Sequence, residues 1–487
     1  MADRPAVELT RLISRLPANA EIIGERAVAV TGIEIDSRAV RPGALFVAVR
    51  GARHDGHAFV SQAIANGAVA VVVETPAPQS VTVVAVPDSR RALSQLAAAF
   101  YDDPSRALDV VGITGTNGKT TTVQMVRAIL DRAGKPCGTI GTVGAAFGDR
   151  TWNLANTTPL PPELHGLLAA MRDAGASAVA MEVSSHALAL DRVDDVRFRV
   201  AALTNVSRDH LDFHLTAEAY AAAKRRLFGM AETCVLNLDD EYGARWAREL
   251  TAGGVAVLGY GERSRDAQVV PSEVATAPDG SRFRLDGRSY EVRLPGRFNV
   301  SNALAAIGIA RTLGVDDATI AQGLAQLERV PGRMERLREN GLDVVIDYAH
   351  TPDALESALQ SLRETTAGGL AVVFGCGGDR DRGKRPEMGA AAARWADRLY
   401  VTNDNPRTED PTSIAAEIVA GMDGRPHVVE LDRRRAIERA VLEARAGDVV
   451  LVAGKGHEAY QIVGEEILDF DDAAVVQRAL QLRAAVR

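Results

Sequence analysis

At 487 residues the chain exceeds what one hydrophobic core usually supports, and the expectation is about three domains. Hydrophobic residues make up 46% and charged residues 25%, a balance that excludes wholesale disorder. The net charge of -8 gives no general field for a polyanion and argues against nucleic-acid binding across the whole surface.

The opening residues mix acids, bases and prolines and lack the apolar core of a secretory signal. Apolar runs such as 69–73 are strand-length, far below the roughly 20 residues of a membrane span. Cys137, Cys234 and Cys376 are too dispersed for a disulfide framework or a CxxC metal site, which fits a reducing compartment. A cytoplasmic chain with no membrane span follows.

Up to Pro104 the runs GIEIDSR, GALFVAV, AVAVVVE and VTVVAV predict short strands, with a helix near 57–65. After the break at Asp102-Asp103-Pro104, DVVGIT leads through a glycine-rich turn into the helix-patterned TTVQMVRAILDRAG, the opening of a parallel α/β domain. AVAMEV and VAALTNV continue it as buried strands, so a doubly wound sheet is predicted. From 255 to 294 short runs broken by Asp279-Gly280 and Asp286-Gly287 predict hairpins. Beyond Pro331-Gly332-Arg333, DVVIDYAH, LAVVFGC, RLYVTND and DVVLVAG alternate with helices as a third α/β unit, closed by an amphipathic helix from 472 to about 485.

The strongest single motif is Gly115-Thr116-Asn117-Gly118-Lys119-Thr120-Thr121, between a strand and a helix. Glycines let backbone amides approach phosphate oxygens, the helix start adds positive potential, Lys119 can reach outer phosphates and the Thr120 hydroxyl can hold Mg²⁺. Glu182 ends AVAMEV at the edge where parallel sheets bind ligands. Asp209, His210, Asp212 and His214 follow the next strand, and Lys224 lies on the helix after them. No serine-hydrolase elbow surrounds Ser184-Ser185-His186, no HExxH occurs, and Arg380 stands where a dinucleotide loop at Gly375-Cys376-Gly377-Gly378 needs its third glycine.

GTNGKTT, EVSSH, TNVSRDHLDFH, GRFNVSNALAA, PGRMERL and VIDYAHTPDAL resemble, in order, the signatures of the Mur ligases. The resemblance covers the chain from about Gly112 onward, and Asp36-Ser37-Arg38 with RPGALFVAVRG resembles the UDP-binding domain of the diaminopimelate- or lysine-adding members. It implies an α/β chain of three domains. These are a UDP-MurNAc-binding domain at 1–106, a central ATP-binding domain with a P-loop-type doubly wound parallel sheet at 107–334, and a Rossmann-like amino-acid-binding domain at 335–487 that swings in with its substrate.

By the same resemblance Gly115 to Thr121, Asn302, Arg333 and Asp347 contact ATP, and Lys119, Glu182, His210 and Lys224 are catalytic. Thr120 and Glu182 would hold a first Mg²⁺, while His210 and Lys224, carbamylated by CO₂, would serve a second. Ile35, Ser37, Asn156, Thr157, Thr158, Ser184 and Arg192 match positions that bind the UDP-muramoyl dipeptide. Asp404, Asn405, Pro406 and Arg407, with Arg380, Gly454 and Glu458, match amino-acid contacts.

Meso-diaminopimelate differs from lysine by a carboxylate beside its distal amine, and the Arg407 guanidinium can grip that group while disfavouring a lone ammonium. The implied reaction is ATP-dependent ligation of meso-diaminopimelate to UDP-MurNAc-L-Ala-D-Glu through an acyl phosphate, carried out by a monomer. Ligation of lysine is the nearest alternative. A folylpolyglutamate-type ligase lacks the DSR-containing first domain, and a nucleotide switch gives no reason for DNPR and GKGHE in the third.

Overall fold

Valine-rich runs of four or five residues supply the strands, because a parallel strand covered on both faces favours branched apolar side chains at consecutive positions. The computed structural model describes residues 5–51, 54–77 and 79–486. Its contacts divide the chain into two compact units, one of residues 1–114, 135–201 and 223–234, the other of 115–134, 202–222 and 235–487.

In the first unit, a five-stranded sheet runs in the order Glu21–Ile23, Thr82–Ala85, Ala70–Val73, Ala44–Val47, Gly32–Glu34. Only Glu21–Ile23 is antiparallel to its neighbour. The helix Ser89–Phe100, capped by Asp88 accepting from the amides of Arg90 and Arg91, packs Leu93, Leu96 and Phe100 against one face. The strand read as GIEIDSR stops at Glu34, and Asp36 instead caps a turn by accepting from the Arg38 amide at 3.0 Å. Farther along, Ala178–Glu182 lies between Asp109–Thr114 and Cys137–Gly141 and is parallel to both. Gly144–Phe147 and Arg150–Trp152 extend that run antiparallel.

Phe198–Leu203, Ala231–Asn237 and Ala256–Tyr260 are successive neighbours, so the first run of the expected hairpin region belongs with the central strands. The hairpins begin at Ser272–Ala277 and continue through Gly280–Leu285 and Arg288–Val292. Asp286-Gly287 forms the predicted two-residue turn, with φ of 50° and 80° as a right-twisted hairpin requires. The other turn is shifted by one residue: Ala277 pairs with Gly280, leaving Pro278-Asp279 at the tip. Gly280 is there for proximity, since a Cβ would lie 2.1 Å from the Val292 carbonyl oxygen.

The last sheet has the order Glu335–Glu339, Leu342–Asp347, Val449–Ala453, Leu370–Phe374, Arg398–Val401, Val428–Val429, parallel except at its first strand. Leu355, Leu359, Met388 and Ile418 cover one face, and Ile437, Val441, Val476 and Leu480 the other. The closing helix runs Asp472–Val486 as expected. At its start, Asp472 takes two hydrogen bonds from Arg433, Nε at 2.8 Å and Nη2 at 2.7 Å, and both side chains are wholly buried. Arg433 also donates to the carbonyls of Asn403 and Ala453, at the ends of two strands. Among the described residues no helix is long and apolar enough to cross a membrane.

Candidate active site

The glycine-rich loop ends in the helix Lys119–Arg132. Thr116 and Asn117 donate their amides to Asn205, at its carbonyl (2.8 Å) and its Oδ1 (2.9 Å), and Thr204 Oγ1 donates to the Asn117 carbonyl at 2.6 Å. Gly115 and Gly118 have positive φ, and a Cβ would lie 1.8 Å from Thr204 Oγ1 and 2.3 Å from Asn302 Oδ1 respectively. Lys119 Nζ is folded onto its own loop, donating to the Gly115 and Thr116 carbonyls at 2.9 Å each. The loop is thus held by Thr204 and Asn205, with its own lysine folded against it.

A cavity of about 330 Å³ opens beside it, lined among others by Asn117, Gly118, Thr121, Asn302, Arg333 and Asp347. Gly115, Thr116, Lys119 and Thr120 are not part of that wall. Asp347 is a buried acceptor fixed by the amides of Met334 (2.8 Å) and Ala349 (2.9 Å), with burial pushing its carboxyl up. Arg333 Nη2 donates to Thr120 Oγ1 at 2.8 Å while its guanidinium stacks 4.6 Å over the Tyr348 ring. Substituting Gly118→Ala should weaken nucleotide binding about tenfold, because a Cβ 2.3 Å from Asn302 Oδ1 on a left-handed backbone that costs roughly 1–2 kcal/mol forces the loop out of the shape that receives phosphate. Titration with a non-hydrolysable ATP analogue measures it, and unchanged affinity would remove this loop from the nucleotide site.

A second cavity of about 260 Å³ collects Arg380, Asp404, Asn405, Arg407, Gly454 and Glu458 from three separate loops. Pro406 stays out of its wall and accepts at its carbonyl from the Glu409 amide at 3.2 Å. Arg407 has φ of 51° and donates to the Gly378 carbonyl at 2.8 Å; burial, then Arg380, lowers its guanidinium from the ordinary value. Opposite in charge stand Asp404 and Glu458, the latter pushed up by burial and by Asp404. Tyr348 donates its hydroxyl to Glu458 at 3.2 Å.

His210 lines this same cavity with Asp209, Tyr348, His350 and Lys384. Burial alone would raise the Asp209 carboxyl, but His210, His350, Lys384 and Lys119 outweigh it and hold it down to about 2. Sequence reasoning grouped Asp209 with His210, Asp212, His214 and Lys224 as candidates for one cation and gave His350 and Lys384 no defined role, since nothing short of the fold brings 209, 350 and 384 together. The Gly375-to-Gly378 cluster, discounted as a dinucleotide loop, turns out to make room for the 402–406 backbone: a Cβ on Gly375 would lie 2.1 Å from the Thr402 carbonyl and one on Gly378 1.9 Å from that of Pro406.

In the first unit, Thr158 Oγ1 donates to the Glu182 carbonyl at 2.9 Å and accepts from the Ser184 amide at 3.0 Å, and Arg192 donates to the Thr158 carbonyl at 2.9 Å. Thr157 and Glu182 meet at Thr142, unnoticed in the sequence, whose amide and hydroxyl donate to the two Glu182 carboxylate oxygens at 2.8 and 3.0 Å. Asn156 is half-buried in the same segment. Burial and the nearby Arg90 pull the Arg192 guanidinium below its ordinary value, a cationic setting suited to an anion. Ser37 donates to Gln62 Oε1 at 2.8 Å, and Ile35 packs against the sheet core. Lys224 is 1% exposed, so it is not the solvated helix lysine that its neighbours Arg225 and Arg226 suggest.

Among the described residues no group of three His, Cys, Asp or Glu side chains is placed to hold a metal ion. The Thr120 hydroxyl at the start of the helix is nonetheless a hard oxygen donor, and Mg²⁺ commonly takes only one or two protein ligands beside water and phosphate oxygens. The donor chemistry therefore fits magnesium brought with a nucleotide.

Comparison with known proteins agrees along most of the chain. Residues 29–101 match the model for the Mur ligase family, catalytic domain; 113–310 match the Mur ligase middle domain; and 332–456 match the Mur ligase, glutamate ligase domain. A UDP-N-acetylmuramoyl-L-alanyl-D-glutamate--2,6-diaminopimelate ligase of Chlorobaculum tepidum is 48% identical, covering 94% of both chains. One of the same name from Geobacillus thermodenitrificans is 44% identical over 98% of this chain and 100% of its own. A solved structure of a ligase so named, 33% identical, superposes with a TM-score of 0.70 over 98% of this chain and 99% of that one.

Proposed function

The chain belongs to the Mur ligase family and is an ATP-using ligase, and from that premise we propose that it joins meso-diaminopimelate to the D-glutamyl γ-carboxylate of UDP-MurNAc-L-Ala-D-Glu in the cytoplasm. The observation that carries the choice of amino acid is the second cavity, with Arg380 and Arg407 set against Asp404 and Glu458. The two guanidinium groups complement the two carboxylates of diaminopimelate, and the acidic pair complements the ammonium group that does not react. Lysine would leave a buried guanidinium without its partner, and an unmade charged hydrogen bond discriminates strongly.

In this reading the γ-carboxylate attacks the γ-phosphate of ATP, ADP departs, and the resulting acyl phosphate is taken by the free amine with loss of phosphate. Asn117, Gly118 and Thr121 seat the nucleotide, with Asn302, Arg333 and Asp347 around it, and Lys119 turns from its loop carbonyls to the outer phosphates. Thr158, Ser184 and Arg192, with Asn156 and Thr157, orient the dipeptide, and Ile35 and Ser37 lie on its uridine side. Thr120 and Glu182 would hold one Mg²⁺, and His210 with carbamylated Lys224 a second; when bound, such ions offset charge on the transferring phosphoryl group.

The test is phosphate release from ATP and Mg²⁺ with UDP-MurNAc-L-Ala-D-Glu, offering meso-diaminopimelate or L-lysine in parallel. Turnover is expected with diaminopimelate only, and Arg407→Leu should lower kcat/KM for it roughly 100-fold. Turnover with lysine alone would sink the selectivity argument, and ATP hydrolysis needing neither acceptor would sink the ligation itself.

A further inference from the structure

We propose that Lys455 is a positioning residue for the amino-acid substrate: from behind the cavity wall its ammonium fixes Asn405, Asp404 and Glu458 in the arrangement that receives a substrate ammonium group. The inference deepens the functional reading above and rests on it.

Lys455 is 0% exposed and does not line the cavity. Its Nζ donates to Asn405 Oδ1 at 2.9 Å and to the Tyr460 carbonyl at 2.6 Å, and lies 3.5 Å from Asp404 Oδ1 and 4.0 Å from Glu458 Oε2. Asn405 Oδ1 takes a second hydrogen bond from the Ile462 amide at 3.0 Å. Two donors on one oxygen leave the amide a single orientation, and Nδ2 then donates to Glu458 Oε2 at 3.2 Å. With Tyr348 donating to the other oxygen, Glu458 is aimed from both sides. Asp404 Oδ1 is different: it is buried and has no hydrogen-bond partner, although the Lys455 charge is beside it. Closed off from the cavity, that oxygen is set by the Lys455 ammonium, which fixes how the carboxylate is turned.

The charge balance points the same way. Asp404 and Glu458 carry two negative charges and Lys455 one positive charge, so the acidic wall offers a net charge of one to one ammonium group. Without Lys455 the two carboxylates would share a largely buried site, where like charges make one of them keep its proton. Glu458 faces Asp404, Lys455, Tyr348, Tyr460, Arg407 and Arg433, and burial with Asp404 already raises its carboxyl. Loss of the lysine charge raises it further, and the acid limb of kcat/KM for the amino acid should move to higher pH.

The experiment compares the full-length wild type with Lys455→Met in KM for meso-diaminopimelate, KM for ATP, and the pH profile of kcat/KM. The expected result is a rise of about 10–100-fold in KM for diaminopimelate, the loss of a charged hydrogen bond, with KM for ATP unchanged and the acid limb shifted upward. Should that variant fail to fold, Lys455→Gln, which keeps a donor and loses the charge, is expected to show the same split. An unchanged KM for diaminopimelate, or equal losses for both substrates, overturns the proposal. A wild type inactive on diaminopimelate overturns the functional reading instead, and this inference with it.

Discussion

Lys119→Ala should lower kcat for ATP-dependent ligation by at least about 10³-fold, the scale of losing a cation that meets charge developing on a transferred phosphoryl group. The loop should survive the change. Asn205 holds the amides of Thr116 and Asn117, Thr204 holds the Asn117 carbonyl, and Thr116 Oγ1 shares a hydrogen bond of 3.1 Å with Tyr220. None of these involves the lysine, so the variant separates loop shape from loop charge. Lys119→Arg should rescue little, since a planar fork replaces a compact ammonium that now meets two carbonyls at 2.9 Å each. Phosphate release measures kcat, and binding of a fluorescent nucleotide shows whether the cavity persists. Near-normal kcat in Lys119→Ala would mean that the phosphates lie elsewhere.

The second large effect is on stability. Arg433→Met should destabilise the carboxyl-terminal part of the chain by about 3–5 kcal/mol, because Asp472 would be left charged, buried and unpaired. The guanidinium makes two hydrogen bonds to that carboxylate and two more to the Asn403 and Ala453 carbonyls. Joint replacement by Arg433→Met and Asp472→Leu should recover most of the loss, since an apolar pair of similar volume carries no desolvation penalty. Urea unfolding followed by intrinsic tryptophan fluorescence reads the midpoint, with a separate transition for each cooperative unit taken into account. Equal midpoints for wild type and Arg433→Met would show that this pair contributes nothing to the fold.

What the sequence made legible was whatever its chain neighbours could express. The strand, glycine turn and helix around Gly115, Gly118 and Lys119 fall within one short stretch, and the Asp286-Gly287 turn needs two adjacent residues with positive φ; both local structures are as read. Less visible were roles assembled across distance. Thr142 meets Glu182 from forty positions away, and Lys455 meets Asn405 from fifty. Glycine misled once, at Gly280, where the turn lies one residue earlier than read. At Gly280 and in the Gly375-to-Gly378 cluster it marks a backbone passing too close for a Cβ, which looks in sequence like a turn or a cofactor loop. Lys224 shows the limit of local polarity, because two flanking arginines suggest solvent while the fold buries the lysine between core residues of its helix.

Thr120, Arg333, Tyr348 and Glu458 form a continuous series: a hydrogen bond of 2.8 Å, a stacked guanidinium at 4.6 Å and a hydroxyl donated at 3.2 Å. Its first member belongs to the phosphate loop and its last to the amino-acid cavity. A nucleotide that claims the Thr120 hydroxyl displaces Arg333 from it, and Arg333 is the support beneath the ring that aims Glu458. Should occupancy at one end alter binding at the other, thermodynamic reciprocity makes the exchange symmetric: whatever factor ATP imposes on affinity for the amino acid, the amino acid imposes on affinity for ATP.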